Sequence, residues 1–385
     1  MMKKGKKNKS KKKYSLRTKA LTVVNGIFII LLLLCYINPY INPAHFPYFA
    51  FSALFYPFLL AFNLFFVLLW LIRGRLAFLY STVAILLGIN HLFTHFQFHN
   101  GTDARLMNKP SLKVLTYNVQ LFGYYKGELS QQIRSDILAQ LQKTDADVYC
   151  FQEFFENEKE FPMVDTLKSL LKAPYVYADY FLTLNKINHY GLAIFSRFPI
   201  LDSGRIQENT KHANYSIYND IVWNKDTVRI INNHLESIHL SKADYDFYED
   251  LTTNPSENKD VKKGSVSILR KIHNAYRKRA TQADYIKDYI TKSPHPVVVC
   301  GDFNDTPLSY VYRRLSLDLR DGFVQAGFGM GKTYAGLFPS YRIDYLLFSP
   351  IFRAVQYRTY RKNYSDHYPT YTRLVLSDYT SKKNQ

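Results

Sequence analysis

The spacing of apolar positions divides the chain in two. Up to about residue 96 the apolar residues run on without a short period. Three stretches, 20–37, 48–72 and 76–96, contain no Lys, Arg, Asp or Glu. Each is long enough, at helical rise, to match a hydrocarbon core of about 30 Å. Burying three such runs in a water-soluble core is hard, so they read as three transmembrane helices. No small-residue cleavage site follows the first run, which therefore reads as an uncleaved helix. Leu34 stands where lipoprotein processing would need a small residue before Cys35.

From Ser111 onward the pattern changes to short apolar runs that alternate with helical spacings. LKVLTYNVQL reads as a strand. Ile133, Ile137, Leu138 and Leu141 then recur at helical intervals, and DVYCFQE is a second strand. A helix is expected over 161–171. The runs YGLAIFS, NYSIYNDIVW, TVRIINNHL, PVVVCGDFN, RIDYLLFS and YPTYTRLVL read as further strands, with Asn224-Lys225-Asp226 as a hairpin turn. Residues 240–264 are polar without a period and read as a surface insertion, and 265–292 as a long basic amphipathic helix. No internal repeat is evident. Mixed strands and helices over this length point to one layered α/β domain. The expected organisation is a basic tail (1–19), three membrane helices (20–98), a linker (99–110) and a catalytic domain (111–378).

Charge changes this picture in one place. The formal net charge is +19, but ten Lys or Arg and no acidic residue fall within residues 1–19. That weakens any argument for nucleic-acid binding from pI alone, because a binding face needs its basic residues clustered on the folded surface. Beside a membrane helix the tail is explained by topology and by attraction to anionic lipid. The loop after the first run lacks Lys and Arg, whereas Arg73-Gly74-Arg75 separates the second from the third. A cytoplasmic N-terminus and three crossings then place the catalytic domain on the extracytoplasmic, periplasmic side of a bacterial inner (plasma) membrane. Three cysteines, Cys35, Cys150 and Cys300, suggest no disulfide framework. Cys150 and Cys300 read as small buried apolar residues, and the two strand ends that carry them could be neighbours.

The chemistry sits where apolar strands stop. Asn118 ends KVLTYN, Glu153 ends DVYCFQE, His234 ends RIINNH, and Asp302 and Asn304 end VVVCGDFN. Asp344 opens RIDYLLF, and Asp366 and His367 open SDHYPTY. Any one of these suits a turn or a cap. Together they make four carboxylates, two amides and two imidazoles at the rim of a rigid sheet. Oxygen donors of this kind suit Mg²⁺ or Mn²⁺ and phosphoryl chemistry. Carboxylate and amide can orient a water, and the histidines can donate protons or hydrogen bonds to phosphate oxygens.

Seven segments, in order, carry a resemblance: KVLTYNVQLF, DVYCFQEF, YGLAIFSRFPI, RIINNHLES, VVVCGDFNDTP, RIDYLLFS and SDHYP. Over about residues 110–378 the chain resembles the endonuclease/exonuclease/phosphatase superfamily, in a bacterial membrane-anchored form. The resemblance implies a four-layered α/β sandwich, two mainly antiparallel sheets flanked by helices. It implies that Glu153 is the principal metal ligand, with Asn118 beside it on metal or phosphate and Asp366 in support. Asp302 and Asn304 would position the nucleophilic water. His367, oriented by Asp344, would contact the scissile phosphate, and His234 would assist the leaving group. Substrate contacts would fall on Asn118, His234, Asn304 and His367.

The expected activity is metal-dependent hydrolysis of a phosphodiester or phosphomonoester, with nucleic acid, phospholipid and inositol or sugar phosphate all open as substrates. Arg270, Lys271, Arg277, Lys278 and Arg279 are the candidate basic groove for a nuclease. The aromatic run DYDFYED in the insertion could touch lipid. No obligate protein partner is evident. The competing class is a non-catalytic membrane receptor or binding module on the same fold. His91, His95 and His99 share a helical face and read as interfacial polar residues rather than a metal site. Gly327-Phe-Gly-Met-Gly-Lys-Thr333 mimics a phosphate loop, but Ala326 stands where that motif needs glycine. It reads as a loop before RIDY that lines the substrate cleft.

Overall fold

The computed structural model describes residues 15–98, 104–206, 213–238, 261–336 and 341–377. The described residues form two compact units, one within 1–37 and 54–89 and the other within 38–53 and 90–385.

The first unit is helical: α1 (Leu16–Ile37), most of α2 (Ser52–Ile72) and α3 (Phe78–Leu87). Two stretches, Leu16–Tyr40 and Pro47–Ile72, are long and apolar enough to cross a membrane. The expected third helix is not continuous. It breaks at Gly88 into α3 and α4 (Ile89–His95), which together could make a third, bent span. A ring leaves room only for glycine at the break. A Cβ on residue 88 would lie 2.0 Å from Cζ of Tyr36, whose hydroxyl donates to the Ala84 carbonyl (3.2 Å). Apolar helices gain little from hydrophobic contact inside lipid, so polar groups supply specificity. Here Trp70 Nε1 donates to Asn25 Oδ1 (2.9 Å), and Asn25 Nδ2 donates to Ser81 Oγ (2.7 Å), all buried.

In the second unit two six-stranded sheets pack face to face. The strands of the first are β1 (Ser111–Asn118), β2 (Val148–Asn157), β3 (Tyr175–Leu184), β4 (Asn188–Ser196), β11 (Phe352–Thr359) and β12 (Thr370–Leu376), in the order β11-β12-β1-β2-β4-β3. Those of the second are β5 (Ile200–Arg205), β6 (Ser216–Trp223), β7 (Asp226–His234), β8 (Val297–Asp302), β9 (Arg320–Asp321) and β10 (Asp344–Phe348), in the order β5-β6-β7-β8-β10-β9. Each sheet has one parallel pair at its centre, β1–β2 and β7–β8, and is otherwise antiparallel. The hairpin at 224–226 closes with left-handed φ at Asn224 (49°) and Lys225 (69°), as a tight turn between twisted strands requires.

Side chains alternate between faces along a strand. Leu112, Val114, Val148 and Cys150 meet Ile230, Val298, Cys300, Leu346 and Phe348 between the sheets. The opposite phase, Leu115, Tyr117, Tyr149 and Phe151, packs under α5 (Ser130–Thr144) and α6 (Met163–Leu171). Val297, Val299, Tyr345 and Leu347 pack under α7 (Val261–Thr291) and α8 (Tyr310–Ser316). The result is helix, sheet, sheet, helix. A short α9 (Gly322–Ala326) follows β9.

Residues 38–53, which take in the end of the first apolar stretch and the start of the second, belong to this unit and dock on α7 and α8. Asn42 Nδ2 lies 3.2 Å from both Asp284 Oδ2 and Tyr310 Oη, and Arg313 stacks over Tyr40. The polar insertion falls almost wholly outside the described residues, as does His99. His95 Nδ1 faces the His91 carbonyl at 2.9 Å.

Candidate functional site

The inter-sheet phase of each central strand runs apolar and then ends polar. On β1 it reads Leu112, Val114, Thr116, Asn118; on β7, Val228, Ile230, Asn232, His234; on β8, Val298, Cys300, Asp302. β10 enters the same face with Asp344. Strand register does the rest: His234 pairs with Asp302, and Asp344 pairs with Asp302 from the other side. One sandwich mouth therefore collects the polar ends of strands from both sheets.

Asp302 is the hub. It is 1% exposed, and Asn304 N donates to its Oδ1 at 2.8 Å. Its Oδ2 accepts from Asn118 Nδ2 (3.2 Å) and Asn304 Nδ2 (3.3 Å), and lies 3.5 Å from His367 Nε2 and 3.9 Å from His234 Nε2. Burial pushes the Asp302 carboxyl up to about 6, against the pull of His367 and His234 and with a push from Asp344. His367 Nδ1 sits 3.0 Å from Asp344 Oδ2. Burial alone would lower the imidazole, but the Asp344 and Asp302 carboxylates outweigh it and hold it well above its usual value.

Glu153 is placed differently. The β2–β4 register slips between Phe151 and Phe154, and Glu153 takes a left-handed φ of 49°. This bulge turns the carboxylate out to the rim, 37% exposed. Its Oε1 accepts from Asn118 Nδ2 (3.1 Å) and lies 3.8 Å from His234 Nε2. Asn304 is also left-handed, at 53°, and its amide donates to the Leu235 carbonyl (2.9 Å). Gly301 has φ 121°, and a Cβ there would meet the Asn233 carbonyl at 2.0 Å, so glycine is required before Asp302. Asp366 lies on the turn into His367. Ser365 Oγ is 3.2 Å from Asp366 Oδ1 and 2.8 Å from the Asn118 carbonyl.

The donor set fits a hard divalent cation. Glu153 offers a half-open carboxylate; Asn118 turns its amide nitrogen to that carboxylate and its oxygen to Gln120 N (3.2 Å), so it would offer a cation its oxygen only with the amide turned over. Asp302, Asp344 and His367 also bring one ligand atom each within 4.8 Å of one another. There, however, the imidazole already pairs with Asp344, and a cation would have to displace it. The Glu153 side is better suited.

Sequence patterns missed the supporting layer. Gln152 Nε2 donates to Thr116 Oγ1 (3.0 Å) and to Asn232 Oδ1 (2.5 Å), and Asn232 Nδ2 donates back to the Phe151 carbonyl (2.9 Å). This buried bridge joins the two sheets one step below the site. Asn214 Nδ2 bonds the Leu235 carbonyl (2.9 Å) and lies 3.5 Å from His234 Nε2. Thr333 Oγ1 accepts from Ile343 N (2.9 Å) and Asp344 N (3.0 Å). Polar residues in the phase below a strand-end site were the available signal.

The proposed basic groove does not survive as a unit. Arg279 is 1% exposed over the Tyr276 ring, and Lys278 pairs with Glu236 at 2.6 Å. Arg270 and Arg277 remain exposed.

Three solved structures are similar in fold. An endonuclease/exonuclease/phosphatase family protein from Bacteroides thetaiotaomicron is 18% identical, covering 70% of this chain and 99% of its own, with a TM-score of 0.48. One from Leptotrichia buccalis is 16% identical, over 69% and 100%, with a TM-score of 0.46. The human Nocturnin catalytic domain with a bound sulfate anion is 17% identical, over 70% and 96%, with a TM-score of 0.47. No curated protein matches the sequence significantly. Residues 18–95 match a family described as a domain of unknown function. Residues 115–367, from within β1 to His367, match the Endonuclease/Exonuclease/phosphatase family, and the chain belongs to that family.

Proposed function

We propose that the chain is a membrane-anchored hydrolase of phosphoester bonds that uses a divalent metal, Mg²⁺ or Mn²⁺. Members of its family generally hydrolyse phosphoesters with such a metal. The observation that carries the reading is Asp302, buried at the meeting point of Asn118, Asn304, His367 and His234. Fixed dipoles and charges in a site shielded from water are what phosphoryl transfer needs most.

Glu153 and Asn118, with Asp366 in support, would hold the metal, which supplies charge for the phosphoryl oxygens. Asp302 and Asn304 orient a water in line with the phosphorus, and Asp302 takes its proton. His367 is kept protonated by Asp344, so its Nε2 donates to a phosphoryl oxygen as charge develops. His234 stands on the opposite flank, where a leaving oxygen can be protonated. The catalytic domain is 111–378, and the apolar helices within 20–98 cross the inner membrane. The basic tail then stays in the cytoplasm and the site faces the extracytoplasmic side.

The test uses the full chain in detergent, with Mg²⁺, Mn²⁺ or a chelator, against DNA, RNA, phospholipids, inositol phosphates and a soluble bis-phosphodiester. Metal-dependent cleavage lost in Asp302→Ala is the expected result. A folded native chain that cleaves nothing with either metal refutes the reading.

A further inference from the structure

The glycine-rich loop that mimics a phosphate-binding motif has a different use. It is pinned at both ends. Gly327 N donates to the Phe323 carbonyl (2.8 Å), and a Cβ at Gly331 would lie 2.4 Å from the Phe323 ring. At its far end Thr333 holds the backbone of Asp344, its carbonyl accepts from Tyr368 N (2.7 Å), and Tyr334 pairs with His367 at a ring distance of 5.4 Å. Between the pins, Phe328 is 66% exposed and Met330 is 55% exposed. Two large apolar side chains on a loop whose far end packs on His367 through Tyr334 are costly to leave in water.

What covers them is indicated by Gln97. Its backbone makes a two-way bridge with Gly329: N to O at 2.9 Å and O to N at 2.8 Å. Gln97 lies two residues past His95, where the last apolar segment ends, so the bridge is within about 7 Å of chain from it. Phe93, Phe96 and Phe98 cluster there, with ring centroids 6.4 and 4.6 Å apart, and Phe98 is 64% exposed. Aromatic side chains of this kind settle at the boundary between headgroups and acyl chains.

We propose that Phe328, Met330 and Phe98 form a lip that rests in the bilayer interface, and that the site behind it takes a phosphoester carried on a membrane lipid. The substrate half rests on the hydrolase and membrane-crossing readings above; the docking half needs only the crossing.

Both halves are tested on the full chain in vesicles of phosphatidylethanolamine and phosphatidylglycerol. The three native cysteines are buried, so Phe328→Cys accepts a thiol-reactive fluorophore selectively. Spin-labelled lipid should quench that probe and iodide should not; quenching by iodide with none from lipid overturns the lip. In the same vesicles Phe328→Ser with Met330→Ser should slow phospholipid hydrolysis about tenfold and leave a soluble bis-phosphodiester unaffected. An equal fall on both substrates shows that the loop only supports His367, and overturns the proposal. A native chain that cleaves the soluble ester but no vesicle lipid overturns the substrate half alone. If the native chain cleaves neither, the hydrolase reading fails while the probe still decides the docking.

Discussion

The two sheets of the α/β unit share a plan and differ in what they expose. Each has six strands with its parallel pair at the centre, and each sends its last inward positions to the same mouth. The first ends in Asn118 and Glu153, and a bulge turns Glu153 outward to 37% exposure. The second ends in His234 and Asp302, at 5% and 1% exposure, with no such bulge. An exposed carboxylate can exchange a cation with solvent. A buried one is fixed in direction and raised in pKa. The comparison teaches that burial sets the two carboxylates apart, Glu153 open to solvent and Asp302 fixed and raised.

That division can be broken most sharply by exchanging charge on each side. Asp302→Ala should cut turnover of a soluble phosphodiester by about a thousandfold or more at every metal concentration. Glu153→Gln should instead shift the metal titration, with much of the rate recovered in excess Mn²⁺. Equal responses to metal in steady-state assays would erase the distinction between the sheets.

The second test concerns the contact between His367 and Asp344. His367→Ala should cost about a hundredfold in kcat, and Asp344→Asn less. The double variant should be little worse than His367→Ala, because Asp344 acts through the imidazole. Additive losses in that cycle would give Asp344 an independent role.

A third prediction sharpens the buried side. Burial pushes Asp305 up to about 6, with Arg279 Nε 4.0 Å away pulling against it. A raised carboxyl favours the folded state below the unfolded value near 3.8, and that contribution is lost as pH rises to about 6. The unfolding free energy should therefore fall over that window by up to about 3 kcal/mol. Asp305→Asn should remove the decline; an unchanged profile would show that Arg279 keeps Asp305 ionised throughout.

The smallest effect belongs to the bridge that joins the sheets. Gln152→Leu leaves the buried Asn232 short of a partner and should cost about 2 kcal/mol in urea unfolding. Adding Asn232→Leu should cost less than the sum of the separate changes. Strict additivity would mean that the two amides do not act as a pair.

Much of this was legible because strand ends are simple. Short apolar runs marked β1, β2, β4, β6, β7, β8, β10 and β12, and polar residues at the ends of β1, β7 and β8 and at the start of β10 are among those that meet. Edge strands were harder. β3 is half exposed along YVYADYFLTL, and β11 alternates too weakly to stand out from its neighbours. Gln152 and Asn232 look like ordinary strand polar residues until two sheets face each other. Hydropathy read residues 76–96 as one helix because a bend at Gly88 leaves the apolar pattern unbroken. Arg279 joined a basic stripe because a helical face seen in sequence does not say which of its cations turns inward.

The two thiols at the centre of the sandwich, Cys150 from one sheet and Cys300 from the other, give the molecule its own clock. Both are fully buried and free, and burial with the neighbouring Cys300 holds Cys150 well above the usual thiol range. A reagent reaches them only when the layers part. The rate at which a small alkylating agent consumes them therefore counts how often the two halves of the site come apart.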